Sequence, residues 1–82
     1  MTKTARYVIC VDNSGYRASL ELHKVYRVLP DADAAEDGDV RVIDESGEDY
    51  LYEAERFLPV DLPPKTVRAL NRSFARADDD AR

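Results

Sequence analysis

Three sets of residues in this chain could do chemistry: a lone thiol with a lone imidazole, a crowd of carboxylates, and a row of cations. Cys10 and His23 are the only residues of their types in 82. A structural zinc site needs four ligands drawn mainly from those two types, so the chain lacks the set. A Cys–His dyad would need Cys10 exposed as a thiolate beside His23. Cys10 stands mid-strand between Ile9 and Val11, where a small buried hydrophobe is the expectation. The carboxylates crowd Asp31 to Glu55, eleven of them against the single base Arg41. Asp31 and Asp33 suit the first two ligand positions of a calcium loop. Ala35, Glu36 and Val42 then stand where the third ligand, the turn glycine and the closing glutamate belong. A solvated acidic loop fits better. Ser14 and Ser46 lie in turns, where serine is expected. Ser19 and Ser73 have no base in a recognisable motif, and Asp44 and Glu48 flank a hairpin turn. The residues predict a non-catalytic protein, not an enzyme, with no cofactor and no metal site.

The cations are more promising. Lys65, Arg68, Arg72 and Arg76 recur at spacings of three and four, so a helix would align them on one face. Val67, Leu70, Phe74 and Ala77 would form the opposite, apolar stripe. Such a basic face can contact phosphates or an acidic partner. It is also what an ordinary solvated helix face looks like. The net charge of −5 repels nucleic acid from the chain as a whole, while local basic surfaces remain able to bind.

These residues need elements to position them. Tyr7 to Val11 is a β-branched run and reads as a strand. Asp12 to Gly15 suits a type I turn. Tyr16 to Leu22 follows as an irregular loop anchored by Leu20 and Leu22. Lys24 to Leu29 alternates Tyr26 and Val28 against Val25, Arg27 and Leu29, and Pro30 stops it. Asp31 to Asp39 is a surface loop with room for a helical turn at Ala34 and Ala35. Val40 to Asp44 is a third strand. Asp44-Glu45-Ser46-Gly47 then gives a turn with Gly47 left-handed and a bulge. That register sets Val42 opposite Tyr50 and Val40 opposite Tyr52, which gives both tyrosines a structural role. Glu53 to Arg56 suits a 3₁₀ turn, and Phe57 to Val60 a fifth strand. Asp61-Leu62-Pro63-Pro64 opens the helix, and Asp78-Asp79-Asp80 opposes its dipole and should fray its end. Ile43 and Leu51 make the second face of the hairpin apolar, and the Val67, Leu70 and Phe74 stripe is expected to cover it.

Five strands, a long loop after the first, a tight hairpin and a 3₁₀ turn before the last strand resemble an SH3-like barrel over Tyr7 to Val60. The chain also resembles small bacterial and phage proteins of that fold. They carry a Leu-x-x-Gly-Lys-x-Tyr-x-Val segment, an Asp-rich Gly turn and a closing Arg-Phe. Leu20, Lys24, Tyr26 and Val28 match here, as do Asp44, Gly47, Tyr52, Arg56 and Phe57. His23 replaces the family glycine, which histidine can do at some cost if the site needs positive φ. The resemblance implies a mainly β fold, a five-stranded SH3-like barrel over residues 6–60; the apolar stripe adds a helix packed on it over 61–77, and the Asp78 to Asp80 run a flexible tail over 78–82. It implies no activity. Peptide-binding SH3 domains line their groove with aromatics including tryptophan, which this chain lacks, while Tyr16 could stand on such a groove.

One cysteine suggests a reducing compartment. The basic N-terminus lacks an apolar run long enough for a signal peptide, and no segment reaches the roughly 20 apolar residues of a bilayer span. The expectation is a soluble cytoplasmic protein, a monomer or weak homo-oligomer without membrane contact. Its expected function is a protein-interaction module, with Tyr16 and the four helix cations as candidate partner-binding residues. The alternative is a nucleic-acid-associated accessory protein that uses the basic helix face.

Overall fold

Alternation in the first two strands sets up the architecture. The computed structural model describes residues 7–80, with side chains for 7–76. Strand β1 (Tyr7–Cys10) sends Val8 and Cys10 inward, and β2 (Val25–Leu29) sends Tyr26 and Val28 to meet them. The pair is antiparallel, with Val8 opposite Tyr26. A short helix α1 (Ala32–Glu36) follows, where the helical turn was expected. The Asp31 carboxylate caps it by accepting the Ala34 N–H at 3.0 Å, and its other oxygen takes the Arg41 guanidinium at 2.9 Å. Strands β3 (Asp39–Ile43) and β4 (Asp49–Glu53) form the hairpin in the predicted register: Val42 faces Tyr50 and Val40 faces Tyr52. Gly47 has φ +84° and its N–H closes the turn on the Asp44 carbonyl. A 3₁₀ turn (Ala54–Arg56) leads into β5 (Phe57–Pro59), and α2 (Pro64–Asp80) ends the described chain.

The strands form one antiparallel sheet in the order β4-β3-β2-β1-β5. β2 is shared, its first half paired with β1 and its second with β3. Val8, Cys10, Leu20, Tyr26, Val28, Val42, Tyr52 and Phe57 make the core inside this bent sheet. The predicted barrel closure is corrected: the sheet is open, with β4 and β5 at its two edges and no ladder between them among the described residues. β5 has three residues, spends them on β1, and carries Pro59, which has no N–H to donate.

Four other expectations change. Leu20 is fully buried, but Leu22 is 48% exposed and anchors nothing. The first turn spans residues 13–16, with the Tyr16 N–H on the Asn13 carbonyl at 2.9 Å. Asp12 captures the Ser14 N–H at 2.9 Å and shifts Gly15 into the third turn position, where its φ of +84° is tolerated. The helix runs to Asp80, three residues past the predicted end at Ala77, and residues 81–82 of the predicted tail lie outside the described residues.

The helix also docks elsewhere than expected. Val8 and Cys10 face the core, so Tyr7 points to the opposite side of β1. There the Phe74 ring stacks on it, with centroids 6.0 Å apart, and the Tyr7 hydroxyl donates to Asn71 Oδ1 at 2.6 Å. Tyr7 is almost wholly buried, while Val67, Leu70 and Phe74 are half-buried. The hairpin's outer face is left uncovered, with Leu51 45% exposed. Connection length explains this. The short link after β5 leaves from the β5 edge of the sheet, next to β1, and β4 lies at the other edge.

Candidate functional site

The hairpin turn is built on one buried acid. Asp44 Oδ1 accepts the Ser46 N–H at 2.9 Å and the Ser46 hydroxyl at 2.6 Å, and Oδ2 accepts the Tyr52 hydroxyl at 2.6 Å. Burial raises the carboxyl's pKa, but the donors from Ser46 and Tyr52 outweigh it and leave Asp44 below its ordinary value. Burial and the adjacent Asp44 carboxylate push the Tyr52 phenol up to about 12. The pair is a satisfied polar floor at the rim of the core.

The β1–β2 loop lies over this floor. The Tyr16 ring meets Tyr52 edge-on at 5.0 Å between centroids. The Arg56 guanidinium sits 4.8 Å from the Tyr16 centroid on the cation–π side, and donates to the carbonyls of Ser14 and Asp12. Arg56 thus clamps the loop that carries Tyr16. A second staple joins the loop to the hairpin. The Glu45 N–H bonds the Ser19 carbonyl at 2.9 Å, and the Tyr26 hydroxyl bridges from the Glu21 N–H to the Glu45 carboxylate. Lys24 holds Glu45 at 2.6 Å, and that ion pair with the Tyr26 phenol lowers the Glu45 pKa. The residues behind the sequence resemblance, Lys24, Tyr26, Asp44, Tyr52 and Arg56, are this framework.

Between loop and hairpin runs a groove of about 380 Å³. Tyr16, Asp44, Ser46, Tyr50 and Tyr52 line it, together with Ser19 and Leu51. Tyr16 is 41% and Tyr50 50% exposed, so two aromatic surfaces face solvent on a braced frame. The groove's one carboxylate is fully engaged by its neighbours. What the arrangement offers is aromatic contact surface with polar edges, suited to holding a chain.

Tyr50 is where the sequence reading misses. Its pairing with Val42 is as predicted, but its exposure was not foreseen. Tyr52 is buried against Phe57 and Tyr16, whereas Tyr50, opposite the buried Val42, is half exposed.

Of the predicted site residues, Tyr16 lies in this groove and the helix cations do not. Lys65, Arg68, Arg72 and Arg76 are exposed along α2, whose docked side rests on the far face of β1. The stripe covers about 16 Å at roughly 1.5 Å per residue. No ion pair joins any of the four to a described residue. Cys10 is wholly buried, and His23 lies in an exposed turn before β2. Among the described residues no group of three or more His, Cys, Asp or Glu side chains is placed to hold a metal, and no helix is long and apolar enough to cross a membrane.

No protein-family model, curated protein or solved structure matches this chain.

Proposed function

We propose that the protein is a non-catalytic interaction module that holds an extended segment of another protein in the groove between Tyr16 and Tyr50. The observation that carries this reading is two half-exposed tyrosines on a frame braced by Arg56, Asp44 and Glu45. Tyrosines of this kind supply contact area with little rotamer entropy to lose, and a braced loop loses little more on binding. The strand order, the shared β2 and the 3₁₀ turn before β5 support an SH3-like relationship, in an open form. Without a tryptophan the groove is built differently from that of proline-binding SH3 domains.

The test is a selection from a displayed peptide library, with Tyr50→Ala and Tyr16→Ala proteins as counter-screens. Enriched peptides should bind the wild type and weaken by about tenfold or more on either variant, the usual effect of truncating a central aromatic contact. Peptides that bind both variants as well as the wild type, or no enrichment at all, would rule the groove out.

A second reading rests on a different observation. The four α2 cations are exposed and unneutralised by described neighbours, which suits contact with a phosphate backbone. Titration with duplex DNA and single-stranded RNA at low salt decides it. Binding with a steep salt slope that Arg68→Glu and Arg72→Glu abolish would support an accessory nucleic-acid role. No binding at low salt would remove that role.

A further inference from the structure

The groove has an open strand beside it. The Asp44 N–H bonds the Glu48 carbonyl at 3.1 Å, and the Ala54 N–H bonds the Gly38 carbonyl at 2.9 Å. Both pairs follow the hairpin register, so Val42 with Tyr50 and Val40 with Tyr52 are the hydrogen-bonded pairs between them. The backbone groups of Asp49, Leu51 and Glu53 therefore point away from β3. β4 is the end of the sheet, so among the described residues these groups line a free edge. Leu51, at its centre, is 45% exposed. Tyr50, which lines the groove, stands on the same strand.

We propose that this edge accepts an extended segment of a partner protein as a sixth strand, and that the segment carries basic residues flanking an apolar one at alternate positions. The proposal rests on the reading of the groove as a peptide-binding surface and adds how the peptide is held. Main-chain bonds to Leu51 supply the affinity, and side chains on alternate positions supply the choice of partner. On the outer face, Asp49 and Glu53 flank Leu51. Arg41 holds Asp49 at 2.8 Å and Arg56 holds Glu53 at 2.6 Å, yet both carboxylates stay about half exposed. Glu48, beside them, has no ion pair with a described residue. The edge is therefore acidic around one apolar residue, and cations opposite Asp49 and Glu53 complement it. On the inner face, the two intervening residues of the incoming strand meet Tyr50 and the groove.

The same charges argue against a second copy of this chain as the occupant. Antiparallel pairing of two β4 strands about Leu51 sets each Asp49 opposite the other molecule's Glu53. Like charges directly across a ladder are destabilising, and charge on an edge strand is a common defence against self-pairing. A basic partner turns that defence into recognition.

The probe is the blocked peptide Arg-Val-Leu-Val-Arg, titrated into the ¹⁵N-labelled full chain. Its pattern reads the same in either direction. The expected result is slowed exchange of the Leu51 amide, with shifts at Asp49 to Glu53 and at Tyr16. Methylating the peptide's central leucine nitrogen should weaken binding by about tenfold or more, because the bond to the Leu51 carbonyl is lost. Exchanging both arginines for glutamate should weaken it similarly. The Leu51→Pro protein should keep its fold, since that N–H bonds nothing in the sheet, and lose the peptide; if it fails to fold, the methylated peptide still decides. Equal binding by the methylated peptide, or an unprotected Leu51 amide at saturation, overturns strand addition. Equal binding by the glutamate peptide overturns the basic partner. Either failure leaves the groove standing if the selected peptides depend on Tyr50. Loss of that dependence is the separate failure of the groove itself.

Discussion

His23 holds φ +65°, the one non-glycine residue with positive φ among those described. Its N–H bonds the Cys10 carbonyl at 2.7 Å, so the strained turn is part of the β1–β2 join. A side chain in this region costs roughly 1–2 kcal/mol, and glycine gives back about half in unfolded-state entropy. His23→Gly should therefore stabilise by about 0.5–1 kcal/mol, a rise of a few degrees in Tm; an unchanged or lower Tm would show that the imidazole makes a compensating contact. Asp44 gives a prediction in pH. Its folded pKa lies below the ordinary 3.8, so the stability it contributes is complete above that value and lost as pH falls through the folded pKa. Asp44→Asn should flatten the acid limb of the stability curve and cost about 1–3 kcal/mol at neutral pH, where Ser46 and Tyr52 lose a charged acceptor. Chemical denaturation from pH 2 to 7 checks both, and parallel acid limbs in the two proteins would contradict it. The positive φ at His23 was foreseen only as a condition, if that site needed one. The buried acid was not, because its burial depends on a tyrosine eight residues along the partner strand.

At the scale of elements, the hairpin was legible and the helix contact was not. Residues Val40 to Glu53 carry local instructions: turn residues at fixed offsets and apolar partners at period two. Helix α2 was legible as a helix from its stripe, but a stripe names no partner. Its contact is with Tyr7, at the other end of the chain. Phe74 is half-buried, so Phe74→Ala should cost about 1–2 kcal/mol, less than the 3–5 kcal/mol of a fully enclosed phenylalanine. Thermal melts decide it. A loss above 3 kcal/mol would mean that the ring is enclosed far more than its contact with Tyr7 shows, and no loss would mean that the helix is not docked.

For the whole molecule, charge is arranged rather than merely abundant. The cations of α2 lie on the helix that packs on β1, beside the β5 edge, and the acids gather around the hairpin at the opposite edge. Asp49 and Glu53 should keep copies of the chain apart. The double variant Asp49→Asn, Glu53→Gln should therefore self-associate more than the wild type in sedimentation, and more so at high concentration. If the two proteins sediment alike at every concentration, edge repulsion is not what limits pairing.

By itself the sequence determined the elements, their order, the hairpin register and the burial of Cys10 and Leu20. Each of these follows from neighbours a few residues apart: alternation, turn chemistry and helical spacing. The tertiary structure decided what depends on distant pairs. The sheet stays open because β5 is short and ends in proline. The helix lies on Tyr7 because the link after β5 leaves from the edge strand next to β1. Tyr16 and Tyr50 form one groove because Arg56 folds the first loop down onto the hairpin. Contacts across 40 residues have no period in the sequence, so only the folded chain could bring them together.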